Sequence, residues 1–243
     1  MCVRYVNFTS AQDLSGIFRT AKPVPNIGPS WNLGPEQDAP VVWLHRQTGQ
    51  RRLDVLRWGL LPHFTKNPKG ARRPVNARAE VVATAGMFRD AFAARRCLVP
   101  AGAFYEWKQV SGLSRQPFAV ARADGATMAF AGIWERWRAP NGLVERSFAI
   151  VTTGANADMA DLHERMPVIV EPEDWPKWLG EVATDPALLL HPPPSGTLRS
   201  WPVSRKVNRR ENDGAALLEP LGDPEFAAVA DRALLFTGGK CSD

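Results

Sequence analysis

The chain's 21 prolines and 19 glycines interrupt its 243 residues every few positions, and this spacing is the strongest constraint on its fold. Both residues disfavour helix interiors, and proline also disfavours central strands, so short strands joined by turns are favoured over long helices. Strand-like and helix-like segments follow one another without regular βαβ alternation, and no fixed-period repeat is present. The sequence therefore predicts an α+β fold with a mainly antiparallel sheet.

Several apolar segments bounded by turn residues are predicted to form strands. Cys97–Trp107 is predicted as one long strand. Phe118–Arg122 and Met128–Ile133 are predicted as the arms of a hairpin, because Ala-Asp-Gly-Ala joins them and Asp-Gly is a strong turn signal. Ser10 is predicted to cap a helix over Ala11–Phe18.

The charge balance favours an anionic partner. The net charge is +5, and 23 of the 30 basic residues are arginine, which contacts phosphate with two parallel hydrogen bonds and stacks on bases. Nine tryptophans add rings on which unpaired bases can stack. Tryptophan more often belongs to a core, and arginine content also follows genome composition, so composition alone leaves single-stranded nucleic acid as one option.

The cysteines and apolar segments exclude several classes of protein. Three cysteines without CxxC spacing predict neither a disulfide framework nor a zinc site, and we predict no metal and no cofactor. No segment approaches the roughly 18 continuous apolar residues of a membrane helix, and the first residues lack a signal-peptide pattern. We therefore expect a cytoplasmic protein without a membrane partner.

Cys2 has a chemistry that depends on its position. Removal of Met1 exposes an amine and a thiol on one residue, and this 1,2-aminothiol can condense with an aldehyde and close a five-membered thiazolidine ring. Without perturbation the amine titrates near about 8 and the thiol near about 8.5, so both are usable at cellular pH. Ring closure is intramolecular, which removes most of its entropic cost. Taken alone, a cysteine at position 2 is also compatible with an incidental residue.

Two further segments carry polar groups suited to catalysis. Asn76, in Pro-Val-Asn-Ala-Arg, can orient a reacting amine or stabilise an oxyanion, and Arg78 would share its face in an extended chain and hold a phosphate. Glu106 lies between Tyr105 and Trp107, where burial would raise its pKa and suit it to proton transfer. The alternatives are an Asx turn with a solvated arginine at the first segment and an outward-facing Glu106 at the second.

His163 completes the set of candidate catalytic residues. It directly follows Asn156–Leu162, a predicted short helix whose C-terminus would favour imidazolium and hence a general acid. Arg165 follows two residues later. The alternative is a surface histidine at a helix end.

Six blocks in order make the sequence similar to a known family. They are MCVR, WGLLPHF, NARAE, RRCLVPAGAFYEW, HERMPVIV and WPVSRKVN followed by ND. In this order they resemble the SOS-response-associated peptidase (SRAP) family, also known as DUF159 or as abasic-site processing proteins. The family usually begins MCGRF, whereas this chain has Val3 and Tyr5; Val3 leaves the chemistry of Cys2 intact but can restrict the backbone beside it.

The resemblance implies a fold and an activity. It implies one α+β domain with a curved, barrel-like sheet and a basic groove, and the match runs from Cys2 to about Pro220. We place the domain at residues 1–234 and, from the sequence itself, expect a loose tail at 235–243. It implies binding to single-stranded DNA at abasic sites and a covalent thiazolidine crosslink through the N-terminal cysteine, which shields the lesion. The catalytic residues would be Cys2, Asn76, Glu106 and His163. The DNA-binding residues would be Arg4, Trp58, Pro62, Arg78, Arg165 and Ser204, with Trp58 and Pro62 as an apolar wedge against the bases.

Two other functions remain compatible with these residues. An N-terminal cysteine with Asn and His is also the set of catalytic residues of a thiol peptidase or amidohydrolase. Removal of Met1 can itself be autocatalytic. A DNA-binding module in which Cys2 is incidental is the second alternative. For the crosslinking function we expect a monomer without an obligate protein partner, located in the cytoplasm and associated with the nucleoid when bound to DNA.

Overall fold

The computed structural model describes residues 3–111 and 114–222. Within these ranges the chain forms twelve short strands and four short α-helices. The strands are β1 Tyr5–Asn7, β2 Ser30–Leu33, β3 Asp38–His45, β4 Gln50–Trp58, β5 Asn76–Arg78, β6 Arg96–Ala101, β7 Ala103–Ser111, β8 Ser114–Arg122, β9 Met128–Arg138, β10 Val144–Gly154, β11 Arg165–Pro167 and β12 Leu198–Pro202. The α-helices are α1 Ala11–Phe18, α2 Ala79–Val82, α3 Arg89–Ala94 and α4 Trp175–Leu179.

Five strands close into a barrel. Their order is β10, β4, β3, β6 and β9, and β9 pairs back onto β10 from Ile150↔Gly132 to Val144↔Arg138. All of these pairings are antiparallel except the short parallel contact between β4 and β10. Two further strands, β5 and β11, are attached to β10. The predicted α+β class with a mainly antiparallel, curved sheet is therefore confirmed.

A second sheet covers one end of this barrel. Its order is β12, β8, β7, β1 and β2. Phe104 of β7 and Tyr5 of β1 join one buried cluster with the barrel residues Phe130, Phe148 and Ile150. This cluster fills the barrel interior and binds the two sheets together through apolar burial.

The helices lie on the outside of the barrel. Leu14 and Phe18 of α1 and Trp178 of α4 are buried against outward-facing barrel residues such as Val42. The predicted capping of α1 is confirmed, since the Ser10 hydroxyl accepts from the Asp13 backbone N–H at 3.1 Å. Within the described ranges, no helix is long and apolar enough to cross a membrane.

The predicted long strand over Cys97–Trp107 is wrong, because the chain changes sheets at Gly102. β6 belongs to the barrel and β7 to the second sheet. A Cβ at Gly102 would lie 2.4 Å from Cε1 of Phe8, so no other residue fits this crossing unchanged. The crossing places β7 over the end of the barrel.

The predicted hairpin is also wrong. β8 pairs with β7 and β12, whereas β9 pairs with β6 and β10. The Asp-Gly turn does form, with φ of +77° at Gly125, but it connects the two sheets. The turn residues specify a reversal of direction, and both edges of β8 are already occupied.

Candidate functional site

One edge of β10 gathers most of the predicted site residues. β5 runs parallel beside it, with Asn76 opposite Ile150 and Arg78 opposite Thr152. β11 runs antiparallel, with Arg165 opposite Gly154. Asn76 is half-buried and Arg78 is exposed. The NARAE and HERMP segments thus meet at the end of the barrel that the second sheet covers.

Glu106 approaches the same end from the second sheet. It is two residues beyond Phe104 on β7, so both side chains face the barrel. Its exposed fraction is only 3%, which excludes the outward-facing alternative. Burial raises the pKa of this carboxyl above its usual value. Glu106 can therefore hold a proton near neutral pH more readily than an exposed glutamate.

His163 is held in a defined orientation. The backbone N–H of Arg165 donates to its Nδ1 at 2.9 Å, which leaves the ring proton of the neutral form on Nε2. Burial lowers the pKa of His163. The predicted helix over Asn156–Leu162 is wrong: the segment is a run of turns, and His163 is not at an α-helix C-terminus. The neutral imidazole is favoured here, contrary to the expectation of imidazolium.

Arg165 is engaged by the protein itself. Its guanidinium forms a bidentate ion pair with Glu80 and also donates to the Thr152 carbonyl at 2.6 Å. The hydrogen bond from Arg165 lowers the pKa of Glu80, and the nearby charge of Arg78 acts in the same direction. The two predicted phosphate-binding arginines therefore flank one exposed carboxylate.

Trp58 and Pro62 are buried rather than exposed. Trp58 has an exposed fraction of 1%, and its indole N–H donates to the Val75 carbonyl at 2.9 Å. Its ring also contacts Tyr5 edge-on, with centroids 5.1 Å apart. These contacts link the segment before Asn76 to β1 and argue against a direct wedge between bases.

Arg4 and Ser204 have internal partners. Arg4 donates to the Asn32 side chain at 2.7 Å and to the Val207 carbonyl at 2.9 Å, which ties the residue before β1 to β2 and to the WPVSRKVN segment. The Ser204 hydroxyl accepts from the Lys206 backbone N–H at 3.3 Å and caps the 3-10 helix Arg205–Asn208. Both positions support the fold beside the site.

Cys2 lies outside the described residues. The residues that follow Cys2, however, show where the start of β1 lies relative to β7. β1 pairs antiparallel with β7, Tyr5 is opposite Phe104, and the Tyr105 N–H donates to the Arg4 carbonyl at 3.0 Å. Continuing this register places Val3 alongside Glu106.

One residue near the site was not singled out from sequence. Arg115, on β8, carries a charge that also lowers the pKa of His163, so it lies within electrostatic reach of that ring. The two residues are brought together by tertiary packing, which the sequence does not report. Phe64, in the WGLLPHF block, is exposed at 55%, but its neighbours contact the other end of the barrel: His63 Nδ1 lies 3.2 Å from Glu135, and the Thr65 carbonyl accepts from Trp137 Nε1 at 2.7 Å.

Metal binding has no support in the geometry of the described ranges. No three or more His, Cys, Asp or Glu side chains within residues 3–111 and 114–222 lie together as a metal would require. The site instead offers a buried carboxyl, an oriented imidazole, an amide and arginines. This set suits proton transfer and the binding of an anion.

Comparison with known proteins places this chain in a family. The chain belongs to the SOS response associated peptidase (SRAP) family, whose model matches residues 1–210. Abasic site processing protein YoqW of Bacillus subtilis is 34% identical over 224 residues, covering 90% of this chain and 99% of YoqW. Abasic site processing protein YedK of Escherichia coli is 32% identical, covering 74% of this chain and 81% of YedK.

Solved structures show the same fold. A protein from Bacteroides thetaiotaomicron matches with a TM-score of 0.82 at 21% identity, covering 91% of this chain and 100% of that structure. A protein from Bordetella bronchiseptica matches with a TM-score of 0.71 at 28% identity, covering 84% and 100% respectively.

Proposed function

We propose that this protein binds abasic sites in single-stranded DNA and crosslinks to them through Cys2. Its curated relatives are named for abasic-site processing, which supports the class of lesion. The observation that carries the proposal for this chain is the position of β1: the strand that follows Cys2 runs beside β7 and leads back to the buried Glu106.

The proposed chemistry begins once Met1 is removed. The Cys2 amine attacks C1′ of the ring-opened sugar aldehyde, and loss of one water gives an imine. The Cys2 thiol then adds to the imine carbon, its proton passes to the nitrogen, and a thiazolidine ring closes. No oxidant, metal or cofactor is required.

Glu106 and His163 move the protons in this scheme. Glu106, with its raised pKa, can donate to the departing water and accept a proton again during ring closure. His163 presents Nε2–H as a donor, because Nδ1 accepts from Arg165. Asn76 orients the Cys2 amine from β5. His163 can also protonate the sugar hydroxyl when the crosslink reverses.

The DNA backbone would lie along the end of β10. Arg78 and Arg115 are exposed and can contact phosphates, and Arg165 can join them where a phosphate replaces Glu80. The proposal keeps an apolar contact with the bases, and the buried Trp58 and Pro62 support the surroundings of that contact rather than make it themselves. Single strands are favoured, because a stacked duplex does not expose its bases to such a contact.

A pair of oligonucleotides tests the proposal. One carries a natural abasic site, and its matched control carries a tetrahydrofuran analogue, which has the same backbone but forms no aldehyde. We expect both to bind, and only the natural abasic site to give a product that survives denaturing electrophoresis. A stable product with the analogue, or none with the natural site, would refute aldehyde chemistry.

The peptidase function is the second candidate, and the family's own description names it. In that case the Cys2 thiol forms an acyl-enzyme with a peptide carbonyl, and His163 protonates the leaving amine. Turnover of a peptide panel without any aldehyde-dependent adduct would favour this function over crosslinking. Autocatalytic removal of Met1 would use the same Glu106 and His163 and is compatible with both.

A further inference from the structure

A basic cavity occupies the mouth of the barrel opposite the candidate site. It has a volume of about 570 Å³, within the range of small-molecule sites. Its lining includes Trp43, Trp134 and six arginines, Arg46, Arg52, Arg95, Arg96, Arg136 and Arg146. We call it the arginine–tryptophan cavity.

Contacts across the barrel define this mouth. Trp43 of β3 lies 5.0 Å from Trp134 of β9 between ring centroids, and the Arg146 guanidinium of β10 lies 5.7 Å from the Trp43 ring centroid. β3 pairs with neither β9 nor β10, so Trp43 meets Trp134 and Arg146 across the inside of the barrel. From Arg146 to Thr152 at the candidate site, β10 spans roughly 20 Å at about 3.3 Å per residue. The two sites therefore lie at opposite ends of the same strand.

Positive charge in the cavity is only partly compensated. Asp54 is the single acidic residue of the lining, and it already accepts hydrogen bonds from Trp43 Nε1 at 2.8 Å and from Arg146 at 3.1 Å. Arg95 forms an ion pair with Glu135, which is not part of the cavity lining. Arg46 and Arg136 are exposed, and neither forms an ion pair with any residue that the structure describes. This arrangement attracts an anion.

The excess of positive charge also acts on Arg96. Burial lowers its pKa, and the Arg46 guanidinium lowers it further. Its own hydrogen bonds go to the backbone carbonyls of Phe92, Ala93 and Trp178, which are neutral. A bound phosphate would supply the negative charge that these neighbours lack.

The tryptophans add selectivity for a planar ligand. Trp43 and Trp134 are half-buried, so part of each ring faces the cavity. An aromatic ring is a stacking platform for any nucleobase, and a neighbouring guanidinium strengthens such stacking.

We propose that the arginine–tryptophan cavity is a second binding site, which takes the phosphate and the base of a nucleotide. That chemistry is shared by a free nucleotide and by a nucleotide within a DNA strand. The phosphate lies between Arg46 and Arg136, and the base stacks on the exposed tryptophan faces. This site does not depend on Cys2 or on the crosslinking function.

Isothermal titration calorimetry with two probes tests the proposal. The probes are thymidine 5′-monophosphate and the oligonucleotide d(T)8, each titrated into the full-length protein and into the double variant Arg46→Ala/Arg136→Ala. The control is Arg89→Ala/Arg199→Ala, which removes the same charge from exposed positions on α3 and β12. All three proteins are expected to unfold at the same temperature, because the substituted side chains are exposed.

We expect the cavity variant to bind at least about five-fold more weakly than the control. A loss for both probes identifies a site that a free nucleotide fills, and a loss for d(T)8 alone, with no binding of the mononucleotide, identifies a site for the strand. Equal affinities in the cavity variant and the control would overturn the proposal, as would a failure of the wild-type protein to bind either probe.

Discussion

The Trp58 indole N–H donates to the Val75 carbonyl at 2.9 Å, one residue before Asn76. The same carbonyl also accepts the Ile150 backbone N–H at 3.0 Å, which fixes β5 on the barrel. Since the Trp58 ring packs on Tyr5 as well, one buried side chain contacts both the strand that follows Cys2 and the segment that presents Asn76. Trp58 thus couples the strand that follows Cys2 to the segment that presents Asn76.

Trp58→Phe should lower the rate of crosslinking while leaving DNA affinity nearly unchanged. Loss of the hydrogen bond should cost about 1 kcal/mol in the free energy of unfolding. The matched control is Trp137→Phe, which removes a similar bond from a buried indole to the Thr65 carbonyl, 2.7 Å long. Denaturant unfolding and single-turnover crosslinking measure the two effects. A Trp58→Phe protein with normal crosslinking but weakened DNA binding would indicate instead that Trp58 contacts the bases directly.

Glu80→Gln should strengthen binding of single-stranded DNA. The carboxylate occupies the fork of Arg165 and lies near Arg78, so a phosphate must compete with it. Its removal should raise affinity several-fold and steepen the dependence on salt. Fluorescence anisotropy with a labelled oligonucleotide measures both, with Glu219→Gln, an exposed glutamate, as the control. Weaker binding than in the control would mean that Glu80 instead holds Arg165 in place for DNA.

The same ion pair has a defined pH dependence. Arg165 lowers the folded-state pKa of Glu80, so its small stabilising contribution is present above the usual glutamate pKa and is lost as pH falls through the folded-state value. The advantage of Glu80→Gln in DNA binding should therefore shrink in acid.

Glu106→Gln should stabilise the protein at pH 7 and abolish crosslinking. Burial raises the folded-state pKa of Glu106, so ionisation costs stability as pH rises above the usual glutamate value of about 4.3. Glutamine carries no such cost. Thermal unfolding should show a higher Tm for the variant at pH 7 and a smaller difference at pH 4. A variant that is less stable at both pH values would show that the Glu106 carboxylate is stabilised by its surroundings.

Arg115→Ala should raise the pKa of His163. The positive charge on β8 disfavours imidazolium, and its removal relieves that effect. An NMR titration of the His163 ring protons measures the change, and Arg199→Ala on β12 is the control. An unchanged titration would place Arg115 outside electrostatic reach of the site.

Periodicity predicted much of the fold because most strands here are apolar segments bounded by turn residues. Met128–Ile133, now part of β9, was found in this way. Local signals did not predict which strands pair with each other. The Asp-Gly turn at Gly125 determines a reversal of the chain, but the sheet to which each strand belongs is determined by contacts far apart in sequence, such as Phe104 with Phe130.

Among the site residues, too, some properties follow from the local sequence and others only from tertiary contacts. For Glu106, which lies in an otherwise apolar strand, the sequence left a buried and an outward-facing side chain open, and the structure shows the buried one. The burial of Trp58 and the ion pair of Arg165 with Glu80 depend on tertiary packing. A motif records which residues recur in order, and it does not record which of them reach solvent.

Intact mass spectrometry with an abasic single-stranded oligonucleotide tests the central claim most directly. For the wild-type chain we predict loss of Met1 and a stable adduct equal to protein plus oligonucleotide minus one water. Cys2→Ser should bind the oligonucleotide without a stable adduct, because an oxazolidine hydrolyses more readily than a thiazolidine. A Cys2→Ala protein that gives the full adduct at the wild-type yield would contradict the proposed function.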